Sequence, residues 1–217
     1  MIRKFFIKRP DPLSGLTHFI GALFAVLALV TLLTRNSLPV TVWHIVGFSI
    51  FGCAMILLYS ASTLYHWLPV SQPTREIFRK IDHIMIFVFI AASYTPVCLV
   101  TLRGGWGWSI FGVVWGLTIA GLFLKIFKMD APRYISTGIY LLMGWLMLIG
   151  IYPLIKSIDI YGLGWLAFGG GFYSIGAIIY AVKKPNIFPG IFGFHELFHL
   201  FVMMGSFCHY IMLYRYV

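Results

Sequence analysis

What most limits the possible folds of this chain is a series of seven apolar runs, each close to the length of a bilayer crossing. A helix needs about 20 apolar residues to cross the hydrocarbon core. Seven stretches meet that length, roughly 14–34, 42–66, 82–102, 107–127, 134–154, 162–182 and 194–214. Polar or turn-forming clusters separate them: Arg35-Asn36-Ser37-Leu38-Pro39, Pro69 to Lys80, Arg103-Gly104-Gly105, Lys128 to Arg133, Lys156 to Asp159, and Lys183 to Pro189. With 60% of residues hydrophobic and 10% charged, the chain has too little charge to cover a water-soluble surface. The expected fold is an all-α membrane protein, a single seven-transmembrane-helix bundle over 1–217. It is expected to be a multi-pass protein of the cell (inner or plasma) membrane, with no extramembrane protein-binding domain. Pro96 lies well inside a span and is expected to kink the third helix after Tyr94-Thr95.

In this setting the net charge of +10 points to anionic headgroups and not to nucleic acid, since basic residues of membrane proteins gather in cytosolic loops. Membrane lipids are the expected partners. One side collects Arg3, Lys4, Lys8, Arg9, Arg75, Arg79, Lys80, Lys125, Lys128, Arg133, Lys183 and Lys184. The other has Arg35, Arg103, Lys156 and Arg215, so the bias is twelve to four. It predicts a cytosolic N-terminus and an exterior C-terminus. The basic start, MIRKFFIKRPDP, lacks the apolar core and cleavage site of a secretory signal and reads as a retained cytosolic tail. Cys53, Cys98 and Cys208 are scattered within apolar runs, which argues against a disulfide framework or a thiolate metal site.

Chemistry enters with Phe194-His195-Glu196-Leu197-Phe198-His199. Residues four apart share a helix face, so His195 and His199 can offer two imidazoles to one ion, in the H-E-x-x-H pattern of helical zinc sites. A third ligand is needed. His66 closes helix two and Ser62 lies one turn before it, while Asp82 and His83 open helix three. By the alternation of the spans, these groups and His195/His199 all fall within about 10 Å of the same membrane face. Ionisable groups in spans normally face the bundle interior and mark function. His66, His195 and His199 are therefore expected to hold Zn2+ with an open fourth position. Asp82 would orient the bound water or act as general base, and Ser62 would hydrogen-bond the water, the substrate or Asp82. The alternative is a metal-free polar cluster that ties helices two, three and seven together.

Three further residues are candidates for a supporting role around the ion: His18, His83 and Glu196. His18 shares the cytosolic layer, with Asp11 or Ser14 expected to cap helix one. Glu196 projects about 100° away from His195, so it is expected near the interface, favoured by the helix N-terminus. His44 and His209 are placed near the exterior face as interfacial or core histidines. Gly169-Gly170-Gly171 with Gly176 reads as a close helix contact and not as a phosphate loop.

Asp11-Pro12-Leu13-Ser14-Gly15-Leu16-Thr17-His18, Ser62-x-x-x-His66, Lys80-Ile81-Asp82-His83, Tyr94-Thr95-Pro96 and Gly193-Phe194-His195-Glu196-Leu197-Phe198-His199 together resemble the bacterial hemolysin III family. That family is part of the progestin and adipoQ receptor group, which includes the adiponectin receptors and is distantly similar to alkaline ceramidases. The resemblance covers essentially the whole chain. It implies a seven-helix bundle with a cytosolic N-terminus, zinc at His66, His195 and His199, and motif Ser and Asp positions at Ser62 and Asp82. Members have been called hemolysins, hormone receptors, lipid hydrolases and regulators of membrane lipid composition. Three functions follow as expectations: a zinc-dependent hydrolase of a lipid amide or ester in membrane lipid homeostasis; a non-catalytic sensor or regulator of membrane fluidity with structural zinc; and a pore-forming cytolysin.

Overall fold

The computed structural model describes residues 11–35, 41–129 and 132–217. The basic tail over 1–10, residues 36–40 of the first break and residues 130–131 of the fourth lie outside the described residues. Among the described residues, seven helices are long and apolar enough to cross a membrane: α1 (Pro12–Thr34), α2 (Val42–Trp67), α3 (Gln72–Thr101), α4 (Gly105–Phe127), α5 (Arg133–Ser157), α6 (Ile160–Val182) and α7 (Phe194–Tyr216). The protein is a multi-pass membrane protein. α2 and α3 run through the middle, with over half of their apolar windows buried, while α4, α5 and α6 show most of theirs to the outside. Phe24, Phe127, Leu142 and Phe207 are among the exposed side chains, as lipid contact requires.

The described spans match the expected ones to within a few residues, except at α3. It starts at Gln72 and not at 82, so the segment read as a loop is helical. Ser71 stands at the N-cap position with Pro73 in the first turn, and Arg79 pairs with Glu76 at 2.9 Å. Charge kept this stretch out of the apolar count without preventing a helix. Asp82 and His83 therefore lie three turns inside α3 and do not open it.

Pro96 interrupts α3 where a break was expected, and the helix continues. Having no N–H, it cannot bond back to Ala92. The chain widens into a π turn over Val97–Thr101, and the Leu102 N–H donates to the Val97 carbonyl at 2.8 Å. α2 approaches closely here, since a Cβ on Gly47 would stand 2.9 Å from Pro96 Cα. A second interruption had no forecast. In α5 the stretch Leu146–Gly150 is 3-10 helix. The cause lies on another helix: Tyr94 enters the α5 ladder, its hydroxyl 2.7 Å from the Met143 carbonyl and 2.6 Å from that of Gly144, and it accepts from the Met147 N–H at 3.1 Å.

α6 and α7 pack as the glycine pattern suggested. A side chain at Gly169 would run into the His209 ring, and one at Gly176 would meet Phe201 at 2.9 Å. Gly171 takes no part, with open space where its Cβ would be. Contacts then define two ends of the bundle. The start of α1, the end of α2, the ends of α4 and α6, and the starts of α5 and α7 meet at the end with the basic loops. The other end carries Arg35, His44, Arg103 and the C-terminus.

Candidate metal centre

His66 sits in the last turn of α2 and is 1% exposed, while His195 and His199 occupy one face of the first two turns of α7. Their candidate ligand nitrogens all lie within 4.8 Å of one another. His195 Nε2 and His66 Nε2 are 3.1 Å apart. Nitrogens about 2.0–2.1 Å from a shared tetrahedral ion stand roughly 3.3 Å from one another, so the cluster is of the right size.

The groups behind the rings set their tautomers. His66 Nδ1 faces Asp11 Oδ2 at 3.3 Å, which leaves Nε2 as the lone-pair nitrogen. His199 Nδ1 donates to the Ser14 carbonyl at 3.1 Å, with Thr17 Oγ1 at 3.3 Å, and its Nε2 is likewise released. Two imidazoles are thus held by their outer nitrogens with their inner nitrogens turned to a common point. Three neutral imidazoles suit a divalent ion with one position left open, so the residues fit a metal.

Asp11 does not cap α1, as its sequence position suggested. No side-chain cap bond forms at that helix start, because the carboxylate is taken by His66, 55 residues on. The hydrogen bond from His66 holds the Asp11 carboxyl below the usual carboxylate range, against the opposing pull of partial burial. Ser14 is no cap either; its hydroxyl donates to Glu196 Oε1 at 2.8 Å. Glu196 Oε2 accepts the Gly193 N–H at 2.8 Å. It therefore caps the start of α7 and ties it to α1, in keeping with its expected place at the helix N-terminus.

His18 joins the cluster by stacking on His199, with centroids 3.7 Å apart and planes 4° apart, and Tyr59 lies against its other side. It is 3% exposed, and neither ring nitrogen has a partner. Asp82 is buried on α3 with Oδ2 3.5 Å from His83 Nδ1, and that nitrogen is 2.8 Å from the Arg79 carbonyl. His83 thus borders Asp82 and stays outside the imidazole cluster. Ser62 Oγ is buried without a protein partner, so of the three partners expected for it (the water, the substrate or Asp82) Asp82 is not bonded here. His209 is a buried residue of the core, edge-on to Tyr173 at 5.3 Å. Asp11, Ser14 and Thr17 were not recognised as partners of the histidines. The available signal was their spacing with His18 along the first turns of α1.

The three histidines, with Asp11, His18, Ser62, Asp82, His83 and Glu196, open onto one cavity of about 1770 Å³, larger than the roughly 300–1,000 Å³ of ordinary small-molecule sites. His66, His195, His199, Asp82 and Ser62 line its polar end. Phe89, Leu148, Leu154, Leu163 and Leu166 line the rest, which extends towards His209. The arrangement can present a polar head to three imidazoles, a carboxylate and a free hydroxyl while an apolar tail lies along the bundle.

Comparison with known proteins gives a consistent result. The family model described as "Haemolysin-III related" matches residues 6–210. The chain is 40% identical over 193 residues to the Hemolysin-3 homolog of Bacillus subtilis (strain 168), covering 89% of this chain and 87% of that protein. It is 38% identical over 194 residues to Hemolysin-3 of Bacillus cereus, covering 89% and 85%. At 25% identity over 214 residues it is also similar to the adiponectin receptor protein of Drosophila melanogaster, covering 89% of this chain and 48% of that one.

Proposed function

The chain belongs to the haemolysin-III-related family of membrane proteins, and from that premise we propose that it is a zinc-dependent lipid hydrolase of membrane lipid homeostasis, cutting an amide or ester at the cytosolic leaflet. One observation carries this reading: the inner nitrogens of His66, His195 and His199 converge at the polar end of a chamber whose remaining walls are apolar. A bound zinc ion would supply Lewis acidity towards the carbonyl to be cut. The orientation follows the twelve-to-four charge bias, which assigns the triad's end to the cytosol.

The chain's own groups do the remaining work. Asp82 takes a proton from water as the water oxygen bonds to the carbonyl carbon. It returns that proton to the leaving nitrogen or oxygen as the C–N or C–O bond breaks, giving a carboxylic acid and an amine or alcohol. Ser62, with no partner of its own, donates to the carbonyl oxygen. The apolar walls hold the chain in register. The test is metal content and lipid turnover measured on the same purified samples of wild type, His66→Ala and Asp82→Asn. His66→Ala should lose both metal and turnover, whereas Asp82→Asn should keep metal and lose turnover. Turnover that persists in either variant overturns the reading.

A second reading, a fluidity regulator with structural zinc, is favoured by the use of Glu196 as a helix cap and tie, which removes the base that an H-E-x-x-H site ordinarily supplies. It predicts regulation without turnover and its loss when metal is removed. The names of the Bacillus relatives suggest a third reading, cytolysis. Liposome leakage that survives metal removal would support it.

A further inference from the structure

α4 packs through Gly107, Ile110, Val114, Thr118, Gly121 and Lys125, buried positions spaced three or four apart on one face. The stripe faces α3, because Thr118 Oγ1 lies 3.2 Å from the Phe87 carbonyl and a side chain on Gly121 would run into the Phe87 ring. Lys125, its last member, is 2% exposed. A lysine near the end of a span ordinarily snorkels to the interface, and Lys128, three residues on, is exposed. Lys125 instead turns inward, and its Nζ donates to Ser136 Oγ at 2.6 Å.

That hydroxyl takes one of three ammonium protons. Among the described residues no carboxylate stands within ion-pair distance of Lys125. The carboxylates that line the cavity are committed elsewhere: Asp11 to His66, Asp82 beside His83, and Glu196 to Ser14 and the Gly193 N–H. Beside Ser136, Thr137 is 4% exposed and its hydroxyl has no partner. Arg79, paired with Glu76, and Arg133, whose guanidinium lies 5.0 Å from the Tyr180 ring centre, belong to the same cavity lining. A buried cation without an anion is costly in a membrane. The cost falls when a ligand brings the charge.

We propose that this wall is a phosphate site, in which Lys125, Ser136 and Thr137 are the inner donors and Arg79 and Arg133 the outer cations, so that the ligand of the cavity is a phosphate-bearing amphiphile. Ser136 accepts from Lys125 and passes its own hydrogen to a phosphate oxygen. Thr137 supplies another hydrogen, and the arginines face the remaining charge. A neutral head leaves these donors unmatched, and a carboxylate brings one charge and two oxygens against Lys125 and Arg133, Arg79 being already paired with Glu76. The inference takes the cavity as the lipid chamber proposed above and adds what its head group must carry. It is independent of the metal and of turnover.

The test is binding to full-length protein in detergent, with four probes: a monoacyl glycerol phosphate, the monoacylglycerol and free fatty acid of the same chain, and inorganic phosphate. The phosphate lipid should bind about tenfold more tightly than either other lipid. Lys125→Met should abolish that preference and leave monoacylglycerol affinity unchanged, and Ser136→Ala should reduce the preference about threefold. Inorganic phosphate that binds as tightly as the lipid, and depends on Lys125, keeps the site but makes free phosphate its ligand. If no lipid binds wild type, the lipid chamber is wrong and the inorganic phosphate arm alone decides the site. Equal affinity for all three lipids, or a preference that survives Lys125→Met, overturns the proposal. Should Lys125→Met not fold, Ser136→Ala decides in the same way.

Discussion

At the end of the bundle away from the basic loops, Arg35 and His44 both close on other parts of the protein. Arg35 Nη1 donates to the Leu213 carbonyl at 2.8 Å with its guanidinium 5.8 Å from the Tyr214 ring centre. His44 takes the Thr41 N–H and hydroxyl on Nδ1, at 3.2 and 2.9 Å, and gives its Nε2 hydrogen to the Val217 carbonyl at 3.0 Å. Both of its ring nitrogens are spent on the fold. At the basic end, His66 and His199 spend one nitrogen each on Asp11 and on Ser14, and turn the other inward. The same residue type thus serves as a latch at one end and as a half-committed candidate ligand at the other. The difference lies in the partner of the second nitrogen.

The most severe way to break this comparison is to delete a histidine from each end. His66→Ala or His199→Ala should take metal from about one equivalent to a trace, because two imidazoles do not hold a zinc ion. His44→Ala should leave metal content unchanged and lower stability by about 1–2 kcal/mol through the lost cap and tether. Elemental analysis and thermal unfolding of the same preparations check both. Equal metal loss at the two ends would sink the distinction. A smaller effect is expected at the group behind the ligand. Asp11→Asn should weaken metal about 10–100-fold and keep the stoichiometry at high metal, as read by chelator competition.

Much of the fold was legible in the sequence because a bilayer imposes one length on every crossing. The misplaced start of α3 came from the same rule: Thr74 to Lys80 form a helix through caps and close charge pairs, and a search for apolar runs is blind to those. The break in α5 was illegible for another reason. Nothing in Leu146–Gly150 breaks a helix strongly, and the agent is the hydroxyl of Tyr94, some fifty residues earlier. The site divides along similar lines. His66, His195 and His199 could be grouped from the four-residue spacing of the last two and from the depth that all three share at helix ends on one face. Asp11 was misread, because a local rule for caps competes poorly with a histidine that only the tertiary fold delivers.

Tyr94 offers a test between the two ends, in the middle of the bundle. Tyr94→Phe removes the hydroxyl that the Met147 N–H and the Met143 and Gly144 carbonyls share. A buried N–H loses its acceptor, so unfolding should become easier by about 1–3 kcal/mol. Hydrogen exchange should rise at Met147 before it rises in α7, while metal content stays the same. Metal loss here would mean that the two halves are coupled through α5.

Glu196 yields the smallest and most discriminating expectation. Glu196→Gln keeps one carbonyl oxygen, which can still accept the Gly193 N–H, and replaces the oxygen facing Ser14 with an amide that cannot accept from it. The Ser14 hydroxyl can turn and accept from that amide instead, so the tie between α1 and α7 is weakened without being cut. The expected cost is about 0.5–1 kcal/mol in thermal unfolding, with metal content and chelator resistance unchanged. A glutamate acting as general base could not tolerate this exchange, since the amide has no basic oxygen: turnover would fall by about 10²–10⁴-fold with the fold and the metal intact. A variant that unfolds a little earlier and cuts lipid at the wild-type rate assigns Glu196 to the latch class of the far end, although it lies between two candidate ligand histidines in the sequence. A variant as stable as wild type that has lost all turnover would transfer the base from Asp82 to Glu196, and the structural use of its two oxygens would then describe only the resting protein.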